Sequence, residues 1–192
     1  MTDYRNRALA GLAVAGAVVA GSLGFAGSAT AEPAPVAGGT TTLKPDKDTF
    51  EALSDMGITV VPTNGAEEAA KGIEFPIVGG KWDPETKTKL FHTGGIRFES
   101  TDAKLKVKDL IAKSNDANGN ALVKASTRDA KIELLDLDLS EAKFRNEFTV
   151  KNIHASLTDE AAAALTDTFG QEIPAGTPIG KLIVKVELAE NK

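Results

Sequence analysis

Apolar and polar residues alternate at period two through most of this chain, and switch to helical spacing in two places. The cleanest alternation is the last: Leu182, Val184, Val186 and Leu188 against Lys181, Ile183, Lys185 and Glu187, the mark of a half-buried strand. Residues 40–43 and 58–61 read as short strands, the second stopped by Pro62, and residues 67–71 as a loop or one helical turn. In residues 72–78 Ile73, Phe75 and Ile77 share a face. Pro76 lacks an N–H, which predicts an edge strand there. Gly79-Gly80 and Asp83-Pro84 carry turn chemistry. Residues 87–92 and 96–99 predict a hairpin around Thr93-Gly94-Gly95. Leu105 and Val107 alternate with Lys104, Lys106 and Lys108 until the phase breaks at Asp109-Leu110-Ile111, where a β-bulge fits. Asn118-Gly119 is the strongest hairpin turn in the chain. Residues 121–127 and 131–139 after it read as further strands, and the second run slips phase between Leu134 and Leu135.

Two helices interrupt this rhythm. Asp46 or Asp48 caps the first, with Phe50, Leu53 and Met56 at helical spacing and Gly57 as its stop. Thr158 caps the second, Asp159 and Glu160 sit at its positive end, and Gly170 stops it. The stretches around Leu53 and Leu165 echo one another, each an Asp-initiated helix after a strand. Any capped short helix shares that form; a true echo places both helices equivalently on one framework. The pattern predicts a mainly β fold, an antiparallel β-sandwich or open barrel with two short helices. It spans residues 40–192 as a single domain, after a flexible Pro/Ala/Gly linker over residues 32–39.

The N-terminus reads as a signal peptide over residues 1–31. Arg5 and Arg7 precede an uncharged, mostly apolar run over residues 8–27, and Ala29-Thr30-Ala31 is a small-residue cleavage site. Cleavage between Ala31 and Glu32 leaves 192 − 31 = 161 residues, secreted and without a membrane anchor. Removing Arg5, Arg7 and Asp3 leaves 20 basic against 26 acidic residues, a balance of −6. A mildly acidic surface argues against nucleic acid as a partner. An envelope component or a small ligand remains.

Composition narrows the chemistry further. With no Cys, disulfides, thiolate metal sites and cysteine nucleophiles are excluded. No G-x-S-x-G, H-E-x-x-H or P-loop occurs, so no enzyme activity, catalytic residue or metal site is expected. Residues 116–120 look briefly like a calcium loop, but Ala121 and Thr127 stand where that template wants Gly and an acid. Asp136 and Asp138 share one strand face, as an acid pair or as a solvated surface. Trp82 is either a sugar-stacking platform or a lid on the core. His92 ends a strand beside Gly94-Gly95, and His154 lies between Ile153 and Ala155. Each is a candidate haem or metal ligand, or a structural residue.

Two segments carry a resemblance: Phe75-Pro76-Ile77-Val78-Gly79-Gly80 with His92-Thr93-Gly94-Gly95-Ile96-Arg97-Phe98, and residues 157–165 with Pro174-Ala175-Gly176-Thr177-Pro178. In them the chain resembles secreted actinobacterial proteins related to the HtaA, haem-transport-associated, domain. The resemblance implies a β-rich fold with a short helix, and haem binding at the cell surface. It also implies a tyrosine as axial ligand supported by a histidine, yet the only tyrosine here is Tyr4, inside the expected signal peptide. No cofactor is therefore expected, haem being the one the resemblance leaves open, through His92 or His154. The leading expectation is a secreted, non-catalytic domain of the envelope or medium with a binding or structural role. The alternatives are haem binding and a carbohydrate-binding module using Trp82, Asp136 and Asp138.

Overall fold

The computed structural model describes residues 32–83, 87–114, 120–146 and 148–190. The expected signal peptide, Pro84 and the Asn118-Gly119 turn lie outside the described residues. The strands are β1 (Ala34–Pro45), β2 (Thr59–Thr63), β3 (Glu67–Ala69), β4 (Gly72–Trp82), β5 (Lys89–His92), β6 (Gly95–Glu99), β7 (Lys104–Ser114), β8 (Asn120–Ser126), β9 (Lys131–Asp138), β10 (Lys143–Asn146), β11 (Thr149–Leu157) and β12 (Pro178–Leu188). Helix α1 (Lys47–Asp55) follows β1, and α2 (Asp159–Phe169) follows β11.

The sheet closes. Its order runs β7-β5-β4-β1-β12-β11-β9-β8, and β8 pairs back onto β7. The barrel is closed and antiparallel rather than open, and closure removes the exposed edges that an open sheet must protect. β6 continues outward along the first half of β7, and β2 pairs with β6 to form a side ribbon. Inward side chains fill the interior, with Val107, Leu90, Leu43 and Leu157 almost wholly buried.

Several local expectations change for physical reasons. Residues 34–39, expected as part of a flexible linker, are strand: Val36 pairs Leu188 and Gly39 pairs Ile77. The Pro/Ala/Gly composition carries no alternation, and backbone ladders on both sides hold the segment instead. β4 is not an edge strand. Pro76 is tolerated because β3 pairs β4 only through Glu74 and β5 begins at Ile77, leaving Pro76 in the gap between them. Pro62 does not stop β2, because β2 pairs only with β6 and the proline sits on a genuine edge. Residues 67–69 form strand β3 rather than a helical turn.

β5 and β6 are not a hairpin. Both run antiparallel to β7, β5 against residues 111–113 and β6 against 104–108. They form one interrupted strand, with Thr93-Gly94 as the jog. The bulge expected at Asp109 is present: Asp109 has φ of +54° and the β7–β8 register shifts between Lys108 and Ile111.

The phase slip in β9 has a partner in the helix. Leu135 pairs Val123 and Glu133 pairs Lys124, so Leu134 is an extra residue, and both leucines are buried. The bulge exposes backbone groups that α2 satisfies. The Glu133 N–H donates to Glu160 Oε2 at 2.7 Å, its carbonyl accepts from the Thr158 hydroxyl, and the Leu134 carbonyl accepts from Thr158 N–H. The same Thr158 oxygen caps α2 by accepting from Ala161 N–H, and Gly170 closes the helix in the left-handed region. Asp46 caps α1. Both helices follow strands that pair with the start of β12, at Pro45↔Gly180 and Ser156↔Pro178. Gln171 Nε2 donates to the Met56 carbonyl and links their far ends.

Gly80 shows how backbone proximity replaces turn chemistry. Gly79 and Gly80, expected as a turn, lie within β4. Gly80 has φ of +139°, and a Cβ there would sit 2.1 Å from the Lys89 carbonyl oxygen. Gly80→Ala is expected to lower stability by about 2 kcal/mol or more. Urea denaturation measures this, and a loss below about 0.5 kcal/mol, as at an ordinary surface position, would contradict the strand assignment.

Candidate functional site

His92 ends β5 and points into the barrel, where it is 8% exposed. Nδ1 lies 3.3 Å from the Leu110 carbonyl, and Nε2 lies 2.8 Å from Thr41 Oγ1. A carbonyl can only accept, so Nδ1 carries the proton, and Nε2 accepts from the Thr41 hydroxyl. The ring is thus neutral, saturated, and joins β5 to β1 and to the bulged part of β7. Burial pushes its pKa down from 6.5 to about 4, partly opposed by the Leu110 hydrogen bond. With both nitrogens engaged, His92 has no lone pair free for a metal or haem iron.

His154 is partly exposed on β11, with Nε2 3.2 Å from Glu141 Oε2. Its register partner is Asp138. The Ser140 backbone N–H, 2.8 Å away, and the Ser140 side chain hold Asp138 below the usual carboxylate range, with a smaller contribution from His154. His154 therefore sits among carboxylates rather than in an apolar slot. Among the described residues no group of three or more His, Asp and Glu side chains could hold a metal ion. Asp136 and Asp138 share a solvated face, as their spacing implied. Trp82 is buried in the core at the end of β4 and offers no stacking platform. The carbohydrate constellation is therefore not assembled.

A surface concavity that the sequence did not reveal lies where β7 forks. It has a volume of about 440 Å³ and is lined by Asn64, Lys106, Lys108, Thr127 and Arg128. Lys108 marks the fork, pairing Gly95 of β6 on one side and Ser126 of β8 on the other. Asn64 follows β2 with φ of +57°, and its side-chain oxygen accepts from Lys106 Nζ at 3.1 Å. Thr127 shapes the turn after β8: its N–H donates to the Ala130 carbonyl at 2.8 Å, and its hydroxyl oxygen accepts from Ala130 N–H at 3.1 Å. That turn presents Arg128. The alternation of Lys104, Lys106 and Lys108 was the only sequence signal. Asn64 and Arg128 join these lysines only through sheet pairing.

The His92 site fixes a pH dependence. The unfolded residue takes up a proton near 6.5 and the folded one only near 4. Between those values the unfolded chain binds more protons, so stability rises with pH. The contribution is full above about pH 6.5, fades as pH falls, and is lost below about pH 4, with a full size of about 3 kcal/mol. Denaturation of wild type and His92→Gln across pH 4–7 should show the steeper slope in wild type. An NMR titration of the His92 ring in the folded chain should find its midpoint below 5, and a midpoint near 6.5 would contradict the buried neutral ring.

No family model and no curated protein sequence matches the chain. Solved structures do. The C-terminal domain of HtaA from Corynebacterium glutamicum superposes with a TM-score of 0.62 at 10% identity, over 80% of this chain and 99% of that one. The N-terminal domain of HtaA from the same organism gives 0.55 at 13% identity, over 79% and 98%. At such identities the likeness is one of fold, and the chain is built on the fold of the HtaA domains.

Proposed function

We propose that this chain is an exported, non-catalytic binding module of the cell envelope or the extracellular space. The observation that carries the reading is the filled, closed barrel. Its interior is packed with apolar side chains, and its buried histidine is saturated, so ligand chemistry falls to the outer surface. Export rests on the leader-like residues 1–31. Among the described residues no helix is long and apolar enough to cross a membrane. Mass spectrometry of the protein recovered from the native culture should find an N-terminus at Glu32. A chain retaining Met1 would overturn export.

The HtaA fold favours haem capture as a second reading, but the residues present do not fit it. Residues 32–192 contain no tyrosine to supply a phenolate. His92 is held inside by Thr41 and Leu110, and His154 faces Asp138 and Glu141 rather than apolar walls. Titration of the purified chain with haem is expected to give no Soret band of a ligated haem and no rise in melting temperature, which specific binding to the folded state would produce. A stoichiometric Soret band lost in His154→Ala would establish the haem reading instead.

A further inference from the structure

We infer that the concavity at the β7 fork is a binding site for a small polyanion bearing phosphate or carboxylate groups. This inference rests on the reading of the chain as a binding module and names the ligand class of one surface. The three charged residues lining the concavity are Lys106, Lys108 and Arg128, in a chain of formal net charge −5. Cations converge here against the overall balance. Like charges placed together on a protein surface repel one another, and an anionic ligand relieves that repulsion.

The cations retain capacity for a ligand. Among the described residues Arg128 has no ion-pair partner, and its planar fork suits oxyanions. Lys106 donates to a neutral partner, the Asn64 amide oxygen, and keeps its charge uncompensated there. Lys108 lies 3.7 Å from Asp109, with both side chains about half exposed or more, a weak pair in water. The Asn64 side-chain NH2 adds a neutral donor that suits phosphate or carboxylate oxygens, whereas the Thr127 hydroxyl donates to the Ala130 carbonyl at 3.1 Å and only shapes the wall.

A second observation lies in the neighbouring ribbon. Thr63 Oγ1 and Arg97 Nε are buried polar atoms without an aligned hydrogen-bond partner, and both belong to the β2–β6 ladder beside Lys106 and Lys108. Arg97 pairs Lys106 in register, which places a fourth cation on the same face. Arg97 Nε lies 2.8 Å from Glu99 Oε2, so that carboxylate offsets part of its charge, and Lys104 approaches the same group at 3.6 Å. The balance at the concavity remains positive. Its volume of about 440 Å³ is in the range of small-molecule sites and exceeds what a single orthophosphate fills. The geometry therefore favours a ligand with two or three anionic groups over a lone ion.

Calorimetric titration of the full chain with pyrophosphate, citrate and orthophosphate tests this, at low salt and against a sodium chloride control of equal ionic strength. Saturable one-to-one binding is expected for pyrophosphate or citrate, weaker for orthophosphate and absent for chloride. The pyrophosphate and citrate arms separate a phosphate from a carboxylate preference. Lys106→Gln with Arg128→Gln should weaken binding at least tenfold, while Lys185→Gln, exposed on β12 across the barrel from β7, should leave it unchanged. Melting temperatures check that each variant folds. No saturable heat with any probe, or equal binding by the double variant, overturns the site. If a thermal-shift screen then finds a ligand insensitive to both substitutions, the anion site falls while the binding-module reading stands.

Discussion

The structure depends on one strand serving both the barrel and a side ribbon of the same sheet. β7 closes the barrel by pairing with β8 and β5, and its first half also carries the ribbon of β6 and β2. A flat strand cannot follow both curvatures. The bulge at Asp109, with its positive φ, is where the strand changes direction. Without it, residues 104–108 and 111–113 could not serve partners on different paths. The wall around Val107 and Leu110, both buried, follows from that closure.

The same division shapes the interior. Once the barrel is closed, a polar group inside must find its partners inside. Thr41 from β1, His92 from β5 and the Leu110 carbonyl beside the bulge meet that demand together. The arrangement fixes the tautomer and keeps the ring neutral. It also removes the most suggestive histidine in the sequence from ligand chemistry. On the opposite side the β9 bulge is covered by α2, whose capping threonine and Glu160 take up the freed backbone groups. The bulges at Asp109 and Leu134 are thus each matched by a specific partner.

The surface has the opposite logic. Groups there keep water as a partner, so they are free to gather by charge. His154, Asp138 and Glu141 collect on one face, and Lys106, Lys108 and Arg128 around the fork. The first group carries an excess of carboxylate. The second carries an excess of cations.

Period-two alternation was enough to find most strands, because half-buried strands need one apolar face. Capping chemistry placed both helices to within a residue or two, because Asp46, Thr158 and Gly170 satisfy backbone groups that belong to the helices themselves. Even the bulges at Asp109 and Leu134 were visible as phase slips, though the register shift between Val150 and Ile153 was not. What the sequence could not determine was which strands meet. Pro76 looked like an edge and Gly79-Gly80 like a turn, because both judgements assume neighbours that only the barrel supplies. Residues 34–39 looked like a linker because their pairing uses backbone alone. The fate of His92 and the convergence of Asn64, Lys106 and Arg128 were likewise decided by closure. Local chemistry sets an element, but contacts between residues tens of positions apart arise only when the sheet folds back on itself.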